Sequence, residues 1–232
     1  TGIFTQNEIN NDFNGGLTLM ALNTLPAGAF ADDAITSDKI NLANTFAFTG
    51  TVTGTPSDMV KISTTTISSA VATVEFTNLD NSTYPVHVVH MQNVELVSNN
   101  KELCCQVGTD SAFVTTNYRT TGVAGRAGST TVDGVNNHTV SEIKLNGTFT
   151  QGQASYGNFS GFIFFYNMAD TDTYSTNYLV HGSFPQDSAY VVHTNLSGRN
   201  GNGEAHTKVR FGNLTSDSNM SSGKFTLYGM KA

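Results

Sequence analysis

The chain has 232 residues and a net charge of −7; only 12% of its residues are charged, Trp is absent, and Thr, Ser, Asn and Gly abound. That is the composition of many short strands joined by polar turns, whereas a helical enzyme carries more Glu, Lys, Leu and Ala. The 11 Lys and Arg are scattered singly, so nucleic acid is not an expected partner; no apolar run nears the ~20 residues of a membrane span and no basic segment leads an apolar one, so neither membrane insertion nor a signal peptide is expected.

Residues 1–58 read as an extended N-terminal attachment arm or connector. Asn7, Asn10, Asn11, Asn14 and the Gly15-Gly16 pair break any period-2 pattern there, and the start at Thr1 is that of a trimmed, processed or excised chain. Within the arm, Leu17, Leu19, Met20 and Leu22 form a short apolar patch that an extended segment would not leave in water, which makes them candidate anchoring residues that pack on another chain or on the sandwich. Asp32 to Ile40 has the pattern of a short helix, capped by Thr36 or Ser37, with Ile35 and Ile40 as two further anchoring residues.

Residues 59–232 read as a β-sandwich. Strand patterns occur near 60–66, 70–77, 84–97, 102–107, 111–116, 140–150, 159–168, 177–184, 189–195, 207–212 and 224–230. In Ala72-Thr-Val74-Glu-Phe76 the apolar side chains share one face and Thr73 and Glu75 the other, as in a half-buried antiparallel strand; Val209-Arg-Phe211 and Phe225-Thr-Leu227 repeat it. Phe162 to Tyr166 is apolar throughout, which predicts a strand covered on both sides, the second cover coming from another subunit; Phe162, Phe164 and Tyr166 are the candidate oligomer interface. Turn chemistry punctuates the chain at 80–82, 98–100, 125–128, 136–137, 198–203 and 216–222. The fold class expected is all-β, an antiparallel two-sheet sandwich of jelly-roll type.

The search for reactive chemistry finds none to assign. His87 and His90 project to opposite faces of one strand and cannot converge on an ion, and the other four His are isolated. Asp170 and Asp172 lie in a polar turn without the remaining ligands of a calcium loop, so neither a metal nor another cofactor is expected. Adjacent Cys104 and Cys105 also point apart, as reduced thiols would in a protein assembled in a reducing cell. No nucleophile elbow, phosphate-binding loop or zinc-protease helix occurs, and the acids sit mostly at turns; the chain reads as a non-enzyme. Tyrosines flanked by Asn, Ser and Thr make adaptable binding surfaces, and Tyr174, Asn177 and Tyr178 are the candidate binding loop for a carbohydrate or protein.

The stretch Ile67 to Phe76, then Asn93-Val-Glu-Leu, Leu103 to Ser111 and Asn117-Tyr-Arg119, resembles a β-sandwich domain of bacteriophage tail-fibre and other virion structural proteins. The closing segment, Val209-Arg-Phe-Gly-Asn followed by Ser222-Gly-Lys-Phe-Thr-Leu-Tyr-Gly-Met-Lys231, is similar to that family's last two strands, and Ala31 to Ile40 to a connector that precedes such domains. The resemblance spans about residues 63–231 but not the middle, 122–137. It implies a virion component assembled in the host bacterial cytoplasm, oligomeric (a homotrimer suits a fibre), bound to other phage structural proteins, and engaged either in adhesion to a host surface glycan or protein or in decoration of the capsid. It implies no catalytic residues.

Overall fold

The structure, a computed structural model, describes residues 58–129, 132–151, 158–172, 176–186, 190–214 and 218–231. The chain divides into two units, residues 1–55 and 56–232, and all described residues belong to the second. The arm with Leu17, Leu19, Met20, Leu22, Ile35 and Ile40, the expected helix, and Tyr174 lie outside the described residues.

Twelve strands form two antiparallel sheets: β1 (Met59–Ile67), β2 (Thr73–Phe76), β3 (Val86–Leu96), β4 (Cys104–Gly108), β5 (Tyr118–Arg126), β6 (Val132–Val140), β7 (Ile143–Lys144), β8 (Phe159–Tyr166), β9 (Asn177–Pro185), β10 (Val191–Asn200), β11 (Lys208–Gly212) and β12 (Met220–Met230). The large sheet runs β1-β12-β3-β8-β9-β10-β5-β6 and the small one β2-β11-β4-β7. The expected all-β, two-sheet architecture is what the chain adopts. Eight strands against four, in this order, do not by themselves make a jelly roll.

Alternation decides what the sheets bury. Val89, Met91, Ile163, Phe165, Val180, Phe184, Phe225 and Leu227 point from the large sheet onto Val74, Phe76, Cys105, Val107, Val209 and Phe211 of the small one. Phe211 sits at the centre, its ring 5.3 Å from that of Phe225 and 6.5 Å from that of Phe76. Each such large side chain, fully buried, contributes roughly 1.5–3 kcal/mol. The hydroxyl of buried Tyr118 accepts from Val107 N at 2.9 Å and donates to Val114 O at 3.0 Å, tying the start of β5 to β4 of the other sheet.

Three sequence expectations are corrected. Residues 111–116 form no named strand: Thr109 N donates to Ala112 O at 2.9 Å, closing a tight turn, and Asn117 at φ 61° redirects the chain. Residues 140–150 shrink to the two-residue β7, because Gly147 at φ 69° turns the chain and the Asn146 amide oxygen caps Leu103 N. Gly125 and Asn136-Asn137, read as turns, lie inside β5 and β6, two strands the sequence reading left unassigned. The Tyr84 ring lies against Gly229, where a Cβ would not fit.

Candidate functional site

Register places the side chains on the outer face of the large sheet in transverse rows, because directly paired residues share a face. One row reads His138, Arg119, Arg199, Asn177, Tyr166, Val86, Met230 and Met59 from β6 across to β1. The next reads Asn136, Thr121, Ser197, Leu179, Phe164, Val88, Tyr228 and Lys61, and the third Gly134, Val123, Asn195, His181, Phe162, His90, Thr226 and Thr64. The face is therefore divided. Its β1 to β8 half is largely apolar and aromatic, its β9 to β6 half polar and basic.

The polar half holds a groove of about 510 Å³ over β5, β6, β9 and β10, with Tyr166 of β8 at one end. This lies within the range of about 300–1,000 Å³ typical of small-ligand sites. Two of the four arginines, Arg119 and Arg199, stand opposite each other across the β5–β10 pair, and among the described residues no Asp or Glu lines the groove. Like charges placed directly opposite in a sheet repel. The Nε of Arg119 is buried without a hydrogen-bond partner.

The floor beneath the arginines is fixed from inside. The Tyr178 hydroxyl lies 2.6 Å from Thr120 Oγ1 and donates to the Arg119 carbonyl at 3.0 Å. Gly198 permits this approach, since a Cβ there would lie 2.5 Å from that hydroxyl. The end of β10 is pinned by Asn200, which donates to Thr116 O at 2.9 Å, and Asn117 donates to Asn202 at 2.6 Å.

These positions revise the tyrosine assignment. Tyr178 is 2% exposed, turned into the core with its phenol pushed well above its usual range by burial, so it offers no side chain to a host ligand. Its neighbour Asn177 is half-buried on the outer face and lines the groove, on a strand rather than a loop. Phe162 is 40% exposed and stacks on His90 at 4.3 Å; Phe164 and Tyr166 stack at 6.4 Å on the same face. The Phe162 to Tyr166 strand is thus core on one side through Ile163 and Phe165, and its second side is open to a partner. His87, by contrast, is fully buried on the inner face, and burial lowers its pKa.

A second cluster was not foreseen. Glu102, Cys104 and Glu142 bring one potential ligand atom each within 4.8 Å of one another, beside an ion pair of 2.7 Å between Lys144 and Glu102. Glu142 is 2% exposed and no hydrogen bond of ordinary geometry reaches either carboxylate oxygen. Burial raises its pKa, and the Cys104 thiol and Lys144 only partly offset that. Both cysteines are buried and reduced, Cys105 in the core and Cys104 against this cluster, and burial holds both thiols well above their usual range. No helix among the described residues is long and apolar enough to cross a membrane.

Comparison of the chain with family models, with curated proteins and with solved structures finds no match.

Proposed function

We propose that this chain is a structural protein of a bacteriophage particle, a fibre or tail-associated module that adheres to the host surface and is held to the particle by its N-terminal arm. The observation that carries this reading is the divided outer face of the large sheet. A preformed groove lined mainly by polar and basic residues sits there beside an aromatic strip. Such a face suits recognition. The reading moves the contact from the loops, where the sequence pattern put it, to the sheet.

The apolar half favours one further element, self-association into a homotrimer, because Phe162, Phe164 and Tyr228 form a neighbouring outward set, with Leu179 of β9 at its border. Capsid decoration is the competing reading, with the same apolar half seated on shell subunits. The deciding experiment is saturable binding of the labelled chain to host cells, scored beside the heat stability of particles lacking it. Host binding is expected. Its absence together with fragile capsids would replace adhesion by decoration, and a monomer by light scattering at micromolar concentration would remove the trimer.

A further inference from the structure

We infer that the groove over β5 and β10 takes the acidic group of an anionic sugar, so that the host surface bound is an acidic polysaccharide; this rests on the adhesion reading above. In a chain of net charge −7, half of the arginines are gathered in one groove from which acids are excluded. Arg119 and Arg199 come from positions 80 residues apart and meet only through the β5–β10 register. Guanidinium groups present forked donors that match a carboxylate or phosphate, and the two that line this groove stand directly opposite each other.

The surroundings point to a sugar as the carrier of that charge. Asn177 flanks the arginines in their own row, and Thr121 and Ser197 stand in the next row, about 7 Å further along the strands. These amides and hydroxyls can donate and accept, as ring hydroxyls require. Tyr166, at the end of the row, supplies an apolar ring face. From His138 to Tyr166 the row crosses four strand spacings, about 19 Å, room for a short run of sugar rings. A nucleic acid would need a longer track of positive charge than two arginines offer.

The test is titration of the full chain with tetragalacturonate, with a neutral maltotetraose, with a phosphorylated mannose oligosaccharide and with single-stranded DNA. Saturable binding of an acidic oligosaccharide is expected, weakening with salt and absent for the neutral one; the carboxylate and phosphate arms identify which acid is preferred. Arg119→Gln should weaken it about tenfold or more. Lys224→Gln removes the same charge from an exposed site on β12, outside the groove, and should leave binding unchanged. Equal loss in the two variants, no binding of either acidic sugar, or tighter binding of DNA would each overturn the inference. Host-cell binding that acidic sugars fail to compete would sink the groove assignment and leave adhesion standing. Acidic-sugar binding without any host-cell binding would do the reverse.

Discussion

Acidification should destabilise this sandwich through His206, and the size of the effect follows from its surroundings. The side chain is 0% exposed; Nδ1 lies 2.7 Å from Thr176 Oγ1, and Nε2 is buried 4.0 Å from a Glu204 oxygen, too far for a hydrogen bond. Burial pushes its pKa down from 6.5 to about 4. Between those values the unfolded chain binds the proton and the folded one does not, so stability is full above pH 6.5 and is lost as pH falls toward 4. At pH 5 the unfolded His is almost wholly protonated and His206 only about a tenth so, a differential of about 2 kcal/mol relative to pH 7.5. Burial lowers the pKa of His87 as well, so the whole protein falls by more than this. The comparison that isolates His206 is wild type against His206→Gln, whose amide retains a partner for Thr176. Urea unfolding followed by far-ultraviolet circular dichroism suits a chain without Trp. From pH 7.5 to 5 the wild type should lose about 2 kcal/mol more than the variant, each measured against its own value at pH 7.5. Equal losses in the two proteins would refute the argument.

Phe211→Ala removes the ring that joins Phe76 to Phe225 between the sheets and should cost about 3–5 kcal/mol in urea unfolding, whereas a loss near 1 kcal/mol would mean that the sheets do not close there. Gly198→Ala drives a methyl group against the Tyr178 hydroxyl and the Arg119 carbonyl; a loss of about 1–3 kcal/mol, seen as a lower thermal midpoint, is expected. Glu142→Gln should stabilise the protein at pH 8 relative to pH 4. The folded-state pKa of Glu142 is raised, so the wild type binds its proton more tightly when folded and loses stability as pH rises from 4.5 through the raised value. A stability difference between variant and wild type that does not change with pH would refute it.

The legible strands are those whose two faces differ in chemistry. In β2, β11 and the last part of β12 large apolar residues alternate with polar ones, and their positions could be read from the chain. β5 and β6 could not, because the inward positions of β5 after Tyr118 are Thr120, Gly122 and Ala124, too small to print a period-2 signal, and β6 is an exposed edge with one buried side chain, Val135. Their Gly and Asn content imitates turns. Burial by close approach, as where Gly122 lies against the backbone of Asn195 and Leu196, leaves no hydrophobic trace. The phase of β9 was equally hidden, since Tyr178 and Val180 are apolar in one phase and Leu179 in the other; only pairing with β8 and β10 sends Tyr178 inward and Asn177 outward.

The groove was hidden from the sequence in the same way. The arginine pair exists because β10 aligns residue 199 with residue 119, a register set by nine consecutive pairs and by no local motif. The aromatic strip was visible locally because Phe162, Phe164 and Tyr166 follow one another at period 2. Both features lie on the outer face, yet the β5–β10 pair stands two to three strand spacings, about 10–15 Å, from β8. A partner seated on β3 and β8 therefore covers Phe162 and Phe164 and leaves Arg119 and Arg199 open. Tyr166, assigned to the interface by its sequence pattern, is the shared border, at once stacked on Phe164 and at the rim of the groove. Assembly through the apolar half would then set several grooves side by side on one particle, and binding too weak for one groove would hold through avidity.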